Sequence, residues 1–375
     1  MRILHIGKYY APIEGGIESI NHFVVVSLKG CQQRVLSFNN QDISCEEDIE
    51  RVPIIRSSSM GVLASQPISF SYLKELRRCI RLFNPDVIHF HYPNPLGAFY
   101  LLLSIKKRNK LIVHWHSDIV AQKFLHNFVK PVEEKLLNRA DVVIATSPNY
   151  ANASRNLLHY KNKVVIIPCS INESLLDLKQ GEEKQVQAIN ERYGGKRIVF
   201  FLGRHVEYKG IKYLLEAERF VQQDCVFLIA GQGPLTAQLK EQYHSPRLYW
   251  LGRISEEEKR YYYHAASIFA FPSITRNEAF GIVLAEAMYC KCPTVTFTIK
   301  GSGVNWVSLN GETGIEVANS DFQAYAQAVD KLLQDNILRD KMGRNAKKRV
   351  VSLFTRDVVA KQYQELYEKF GYKCD

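Results

Sequence analysis

Short apolar runs recur along this chain, and each ends in a polar or glycine-bearing loop that opens a segment of helical period. Ile3–Gly7, Arg34–Phe38, Val52–Arg56, Val87–His91, Leu111–His116, Val142–Ser147 and Lys163–Cys169 read as strands, with helical patterns at Phe70–Phe83, Leu96–Lys107 and Tyr150–His159 between them. The rhythm restarts at Arg197–Gly203 and returns in runs beginning at Val226, Leu248, Ser267 and Pro293. Strands that alternate with helices, and are apolar along their whole length, imply parallel sheets covered on both faces. Right-handed crossovers then follow. A chain of 375 residues suits two domains. The polar stretch Leu178–Gln185 lacks an apolar period and places the boundary within Asn172–Gln185. The expectation is an α/β protein with a first domain over 1–175, a second over 176–355, and a final helical segment over 356–375.

Composition narrows the function classes. No apolar run reaches the ~18 residues that a membrane-spanning helix needs. The start, Met1-Arg2-Ile3-Leu4-His5-Ile6-Gly7, is a strand and turn with no small-residue cleavage site. Eight scattered cysteines without a C-x-x-C pair read as reduced, buried thiols in a cytoplasmic protein. The formal net charge of +11 is spread over several clusters: Arg77, Arg78 and Arg81; Lys106, Lys107, Arg108 and Lys110; and Lys341, Arg344, Lys347, Lys348 and Arg349. Neither aromatic-basic interleaving nor zinc-finger spacing accompanies them, which argues against nucleic acid as the partner. An anionic membrane surface or a phosphate-bearing substrate fits better. The mixed stretch Gln122–Lys130 reads either as an interfacial patch or as a helix packed on its own domain.

The chemistry concentrates in Asn277-Glu278-Ala279-Phe280-Gly281-Ile282-Val283-Leu284-Ala285-Glu286. It follows the apolar run Ser267–Ser273 and opens another at helical spacing. Glu278 then lies in a strand-to-helix loop, and Glu286 about two turns into the helix. Gly281 lets backbone approach a ligand. The amides of Phe280, Gly281 and Ile282, ahead of the helical ladder, suit an anion. Carboxylates accept from hydroxyls, so the stretch fits a ligand carrying both phosphate and sugar.

Glu278 and Glu286, seven residues apart in E-A-F-G-I-V-L-A-E, resemble the E-x7-E signature of family 4 retaining glycosyltransferases. Gly203-Arg204 and Lys209-Gly210 resemble that family's G-R-x-x-x-x-K-G element, and Gly15-Gly16 its glycine pair after the first strand. The Gly311-Glu312-Thr313-Gly314 turn is similar as well. The resemblance implies the GT-B fold: two Rossmann-like domains with parallel sheets facing across a cleft, and a C-terminal helix packing back on the first domain. It implies that Arg204 and Lys209 hold a diphosphate, helped by Gly16 and the amides of Phe280 to Ile282. Glu286 would then bind ribose, Glu278 the donor sugar's hydroxyls, and His116 the sugar near the reacting carbon. Fork-like Arg and point-like Lys suit a leaving group that gains negative charge, so no metal or other cofactor is expected.

The second carboxylate of a retaining hydrolase has no obvious counterpart here, and the resemblance implies an internal-return displacement with the leaving phosphate as base. Asp118, beside His116, is a candidate to orient an acceptor hydroxyl. His89 and His91 are expected as strand-end caps on the ligand side, with metal binding the less favoured reading. Two stretches depart from the family: Cys169-Ser170-Ile171-Asn172, and Gly301-Ser302-Gly303-Val304-Asn305-Trp306, where a glutamate is usual near the tryptophan. The chain most resembles bacterial O-antigen and capsule enzymes of mannosyltransferase type. GDP-mannose is the first expectation for the donor, with a polyprenyl-diphosphate-linked oligosaccharide as acceptor, on the inner face of the cytoplasmic membrane. A UDP-linked donor and a non-catalytic glycan-binding role stay open.

Overall fold

The computed structural model describes residues 1–13, 15–63, 66–119 and 123–373. The chain divides into two compact units, one of Met1–Pro168 with Val359–Asp375 and the other of Cys169–Val358. The division falls just ahead of the expected Asn172–Gln185 stretch, whose polar end instead runs into a helix, Glu183–Arg192.

Among the described residues the first unit holds ten strands: β1 (Arg2–Ile6), β2 (Gln32–Phe38), β3 (Cys45–Ile49), β4 (Val52–Ser57), β5 (Val62–Leu63), β6 (Gln66–Pro67), β7 (Val87–Tyr92), β8 (Lys110–Trp115), β9 (Val142–Ala145) and β10 (Val164–Ile166). Eight of them form one sheet in the order β10-β9-β8-β7-β1-β2-β4-β3. All neighbours are parallel except β3, which pairs antiparallel with β4 at the edge. Neither β3 nor the small β5–β6 hairpin was expected from sequence. β3 reads Cys-Glu-Glu-Asp-Ile and is almost wholly exposed, so it lacks the apolar pattern by which the other strands are recognised. β7 is buried at all six positions, as a central parallel strand covered on both faces must be.

The second unit holds β11 (Arg197–Leu202), β12 (Cys225–Ala230), β13 (Leu248–Gly252), β14 (Ile268–Phe271), β15 (Thr294–Phe297) and β16 (Gly314–Val317). They make one parallel sheet in the order β13-β12-β11-β14-β15-β16. β12, Cys-Val-Phe-Leu-Ile-Ala, is fully buried; each such large apolar side chain contributes about 1.5–3 kcal/mol over its exposed state. Helix starts carry the caps their sequences allow. Ser255 and Glu258 form a capping box, and Asp321 and Asp335 cap the two helices that follow β16.

In both sheets the chain starts at a central strand, runs outward one way, then returns and runs outward the other way. The order reverses between β1 and β7 in the first unit and between β11 and β14 in the second. In open parallel sheets, the loops at that reversal diverge and leave a crevice at the carboxyl ends of the strands. The helix Arg356–Glu368 ends the chain's regular structure. Its Tyr363 and Tyr367 are buried in the first unit: Tyr363 lies edge-on to Phe23, and Tyr367 Oη lies 2.7 Å from His89 Nδ1. No helix of the described residues is long and apolar enough to cross a membrane.

Candidate functional site

In the second unit the two loops at the reversal meet. The loop after β11 carries exposed Arg204, then one 3-10 turn, Glu207–Lys209. The loop after β14 carries Ser273 and Glu278. Ile274 N donates to Tyr208 O at 2.9 Å. Gly210 makes this approach possible: its φ is +63°, and a Cβ would stand 2.0 Å from Pro272 O. Lys209 Nζ donates to Glu278 Oε2, and Ser273 Oγ donates to the same oxygen at 3.3 Å. Both charged side chains are almost wholly buried. The ammonium also sits over the rings of Tyr208, at 5.5 Å, and Phe271, at 5.2 Å. Burial acts to lower the Lys209 pKa, but the Glu278 carboxylate overrides it, and the group stays above its ordinary value. The ammonium is therefore charged throughout the physiological range.

Gly281 (φ +87°) caps the helix Ile282–Tyr289, and its missing Cβ leaves room for Phe271. Leu284 N and Ala285 N both return to Gly281 O, so the amides of Phe280, Gly281 and Ile282 precede the helical ladder. Ser302 Oγ donates to Glu278 O, and Gly303 N to Ala279 O at 3.1 Å, which fixes the loop from the far side. Trp306 packs here: its ring centroid lies 6.3 Å from that of Phe280 and 5.3 Å from that of Phe354. Arg349, one of the clustered cations, donates to the carbonyls of Trp306 and Val307. It therefore serves the fold rather than a ligand surface.

Glu286 lies one turn into its helix rather than about two, because the helix begins at Ile282. Its Oε1 accepts from Lys259 Nζ at 2.9 Å and its Oε2 from Tyr263 Oη at 2.9 Å. Burial is the largest influence on this carboxyl and raises its pKa, with Lys259 and Tyr263 pulling the other way. Each oxygen keeps a second lone pair for a hydroxyl. Lys259 and Tyr263 were not singled out from sequence. Their spacing on the helix Glu256–Ala265 is that of any amphipathic helix, and only the fold shows which carboxylate they meet.

In the first unit, Gly16 opens the helix Gly16–Ser27, and a Cβ there would meet nothing within 4 Å. The loop before it is tied down by buried Arg56, which donates to the carbonyls of Tyr10 and Ala11. His116 follows β8. Strand alternation sends His114 and His116 to one face, where their rings stack at 4.0 Å, and Trp115 to the other, where it stacks on Tyr92 at 4.2 Å. His89 and His91 are not strand-end caps. Both are buried and join the same stack. Asp118 Oδ1 accepts from Trp115 Nε1 at 2.9 Å and Ser154 Oγ at 2.7 Å, which fixes the carboxylate beside the end of β8. The side chains of the Lys123–Phe128 part of the Gln122–Lys130 patch, Gln122 itself and Cys374 lie outside the described residues.

The loops after β11 and β12 also touch backbone to backbone. A Cβ on Gly231 would meet Gly203 O at 1.9 Å, and one on Gly233 would meet His205 O at 2.3 Å. The Gly231-Gln232-Gly233 turn is glycine-rich for close approach between loops.

A buried ammonium–carboxylate pair where the strand order reverses, with an exposed arginine on the same loop and free amides beside it, suits an anionic ligand that also carries hydroxyls. The pattern of the family Glycosyltransferase Family 4 matches residues 26–175, and that of Glycosyl transferases group 1 matches residues 182–349. The D-rhamnosyltransferase WbpZ of Pseudomonas aeruginosa is 32% identical over 95% of this chain and 92% of its own. The chain belongs to the family 4 glycosyltransferases. This glycosyltransferase is also 29% identical to the O-antigen chain mannosyltransferase C of Escherichia coli, over 98% of both chains. Its fold is GT-B, with two Rossmann-like units. The Anabaena Alr3699/HepE structure, in complex with UDP and glucose, superposes with a TM-score of 0.77 at 17% identity, over 98% of this chain and 100% of that one.

Proposed function

We propose that this glycosyltransferase moves a sugar, with retention of configuration, from a nucleotide sugar to a polyprenyl-diphosphate-linked oligosaccharide in bacterial surface polysaccharide synthesis. The observation that carries the reading is the Lys209–Glu278 pair. Arg204 and Lys209 receive the diphosphate and its growing charge, aided by Gly16 and the amides of Phe280, Gly281 and Ile282. Glu278 accepts from the sugar's hydroxyls, Glu286 from the ribose, and His116 contacts the sugar. Two cations at the leaving group fill the electrostatic role that a metal ion has in other transferases. GDP-mannose is the preferred donor, a choice supported by the likeness to a mannosyltransferase over the whole chain.

The acceptor's membrane is met by the first unit. A groove of about 650 Å³ there is lined by Phe70 and Leu103 together with Lys74, Arg77, Arg81 and Lys106. Phe70 and Leu103 are 75% and 54% exposed. Apolar side chains rimmed by cations suit an anionic lipid surface.

Thermal shift against a panel of nucleotide sugars, on wild type, Arg204→Ala and Lys209→Ala, tests the donor site. A ligand that binds the native state raises the midpoint. GDP-mannose is expected to stabilise the wild type, and both variants to lose the shift. A shift with UDP-sugars alone keeps the enzyme class and discards mannose. No shift with any nucleotide sugar removes the diphosphate site and favours a glycan-binding role.

A further inference from the structure

Five histidines from three adjacent strands and one strand end, His5, His89, His91, His114 and His116, are buried together in the first unit. His5 stacks on His89 at 5.8 Å and His89 on His91 at 4.7 Å, while His91 and His116 lie edge to edge, their planes 9° apart and their centroids 5.2 Å apart. Ring nitrogens of His89, His91 and His114 come within 4.8 Å of one another, a spacing that invites a metal reading. The ring planes do not support it. Those of His89 and His91 are only 11° apart, so their in-plane lone pairs run side by side, whereas a tetrahedral ion needs them to converge. The cluster has another use.

His116 turns its Nε2 toward His91, whose Nδ1 lies 2.9 Å away. That leaves Nδ1 as the His116 nitrogen available to a ligand. His91 Nε2 is buried and faces no partner. A neutral imidazole carries one N–H, and buried N–H groups without acceptors are rarer than buried acceptors without donors. The proton of His91 therefore belongs on Nδ1, where it has an acceptor. We infer that His91 is a positioning residue for His116: its Nδ1–H donates to His116 Nε2, locks the ring's orientation, and fixes His116 as the Nδ1–H tautomer. His116 then presents a hydrogen-bond donor to a sugar oxygen and takes no proton at that atom. Burial keeps the His116 imidazole neutral, with its pKa lowered to about 3. The catalytic consequence rests on the donor-sugar reading given above; the tautomer does not.

Two substitutions separate the hydrogen bond from the stack. His91→Phe keeps a ring in the stack and removes the donor. His91→Asn loses the ring but places an amide N–H near the position of Nδ1. Long-range ¹H–¹⁵N spectra of the ¹⁵N-histidine-labelled protein, assigned with His116→Gln, report the tautomer directly. Wild type is expected to show His116 as Nδ1–H, His91→Phe a mixture, and His91→Asn a return toward Nδ1–H. An Nε2–H tautomer in wild type overturns the inference, and this arm stands even if His91→Phe fails to fold. With the nucleotide sugar that the thermal-shift panel selects, His91→Phe is expected to lower kcat on the order of a hundredfold at unchanged KM, and His91→Asn to recover most of it. Wild-type kcat in a folded His91→Phe also overturns the inference. If no nucleotide sugar binds, the donor-site reading fails while the spectra still decide the positioning of His116.

Discussion

Lys259 Nζ lies 2.9 Å from Glu286 Oε1, with both side chains about nine-tenths buried. The second carboxylate of the E-x7-E signature is thus built into the second unit by its own cation, from a helix that the signature does not include. Removing one partner of a buried pair strands the other. Lys259→Met is expected to cost about 3 kcal/mol at neutral pH. The sign of its pH dependence follows from Glu286, whose carboxyl burial already raises. Without Lys259 the folded state holds that proton more tightly than the unfolded chain does, so the penalty shrinks as pH falls from 8 to 5. Urea unfolding at both pH values checks this; a penalty independent of pH counts against it.

Gly210→Ala is expected to destabilise the second unit by about 1–3 kcal/mol, because its Cβ would occupy the position of Pro272 O at φ +63°. Gly195→Ala is the control: φ is +68°, yet no atom lies within 4 Å. It should cost about 1 kcal/mol. Equal thermal midpoints for the two variants would show that the contact between the loops is not what constrains Gly210.

Gly16→Ala should leave the stability of the protein unchanged, since the added methyl meets nothing within 4 Å. It should weaken binding of the nucleotide sugar severalfold, because the methyl stands where the diphosphate is proposed to lie against backbone. Calorimetric titration reads the effect, and unchanged affinity removes Gly16 from the site.

The buried imidazoles make the first unit acid-sensitive. His5 is held near a pKa of about 4 against an ordinary 6.5, chiefly by burial. The unfolded chain therefore takes up the proton first, and stability is lost as pH falls from 6.5 toward 4. His5 alone accounts for about 3 kcal/mol by pH 4, and His89, His91, His114 and His116 shift in the same direction. A urea midpoint that stays flat from pH 7 to 4.5 would contradict this.

Arg77→Glu with Arg81→Glu should reduce cosedimentation with phosphatidylglycerol vesicles, each charge near the surface being worth about 1 kcal/mol. The thermal shift with nucleotide sugar should be unaffected. Undiminished vesicle binding would remove this groove as the membrane contact.

Much of the fold was legible because its strands are buried on both faces. Val-Ile-His-Phe-His-Tyr and Cys-Val-Phe-Leu-Ile-Ala are apolar enough to be recognised, even with two histidines in one of them. Arg204, Lys209 and Glu278 were singled out by their likeness to the family's two motifs, and the structure places them on loops that follow strands, where ligands of parallel sheets gather. What could not be read was anything set by contact between distant segments. Glu286 meets Lys259 from 27 residues away, His91 meets His116 from 25, and Asp118 is claimed by Ser154 from 36. Local pattern carries no trace of such pairs. Trp306 illustrates the same limit: its departure from the family pattern was visible, but its ring contacts with Phe280 and Phe354 were not.

The edge strand β3 also bears on how the molecule behaves in company. A parallel sheet that stopped at β4 would offer a row of free N–H and C=O groups to any passing strand. The short strand over 45–49 covers that side instead, with Glu46 ion-paired to Arg78, Glu47 to Arg56, and Asp48 exposed. A second copy approaching by this edge meets a five-residue strand whose middle three side chains are all charged, a composition that blunts edge-to-edge pairing. A segment without an apolar face thereby makes this edge of the sheet a poor template for strand-by-strand growth.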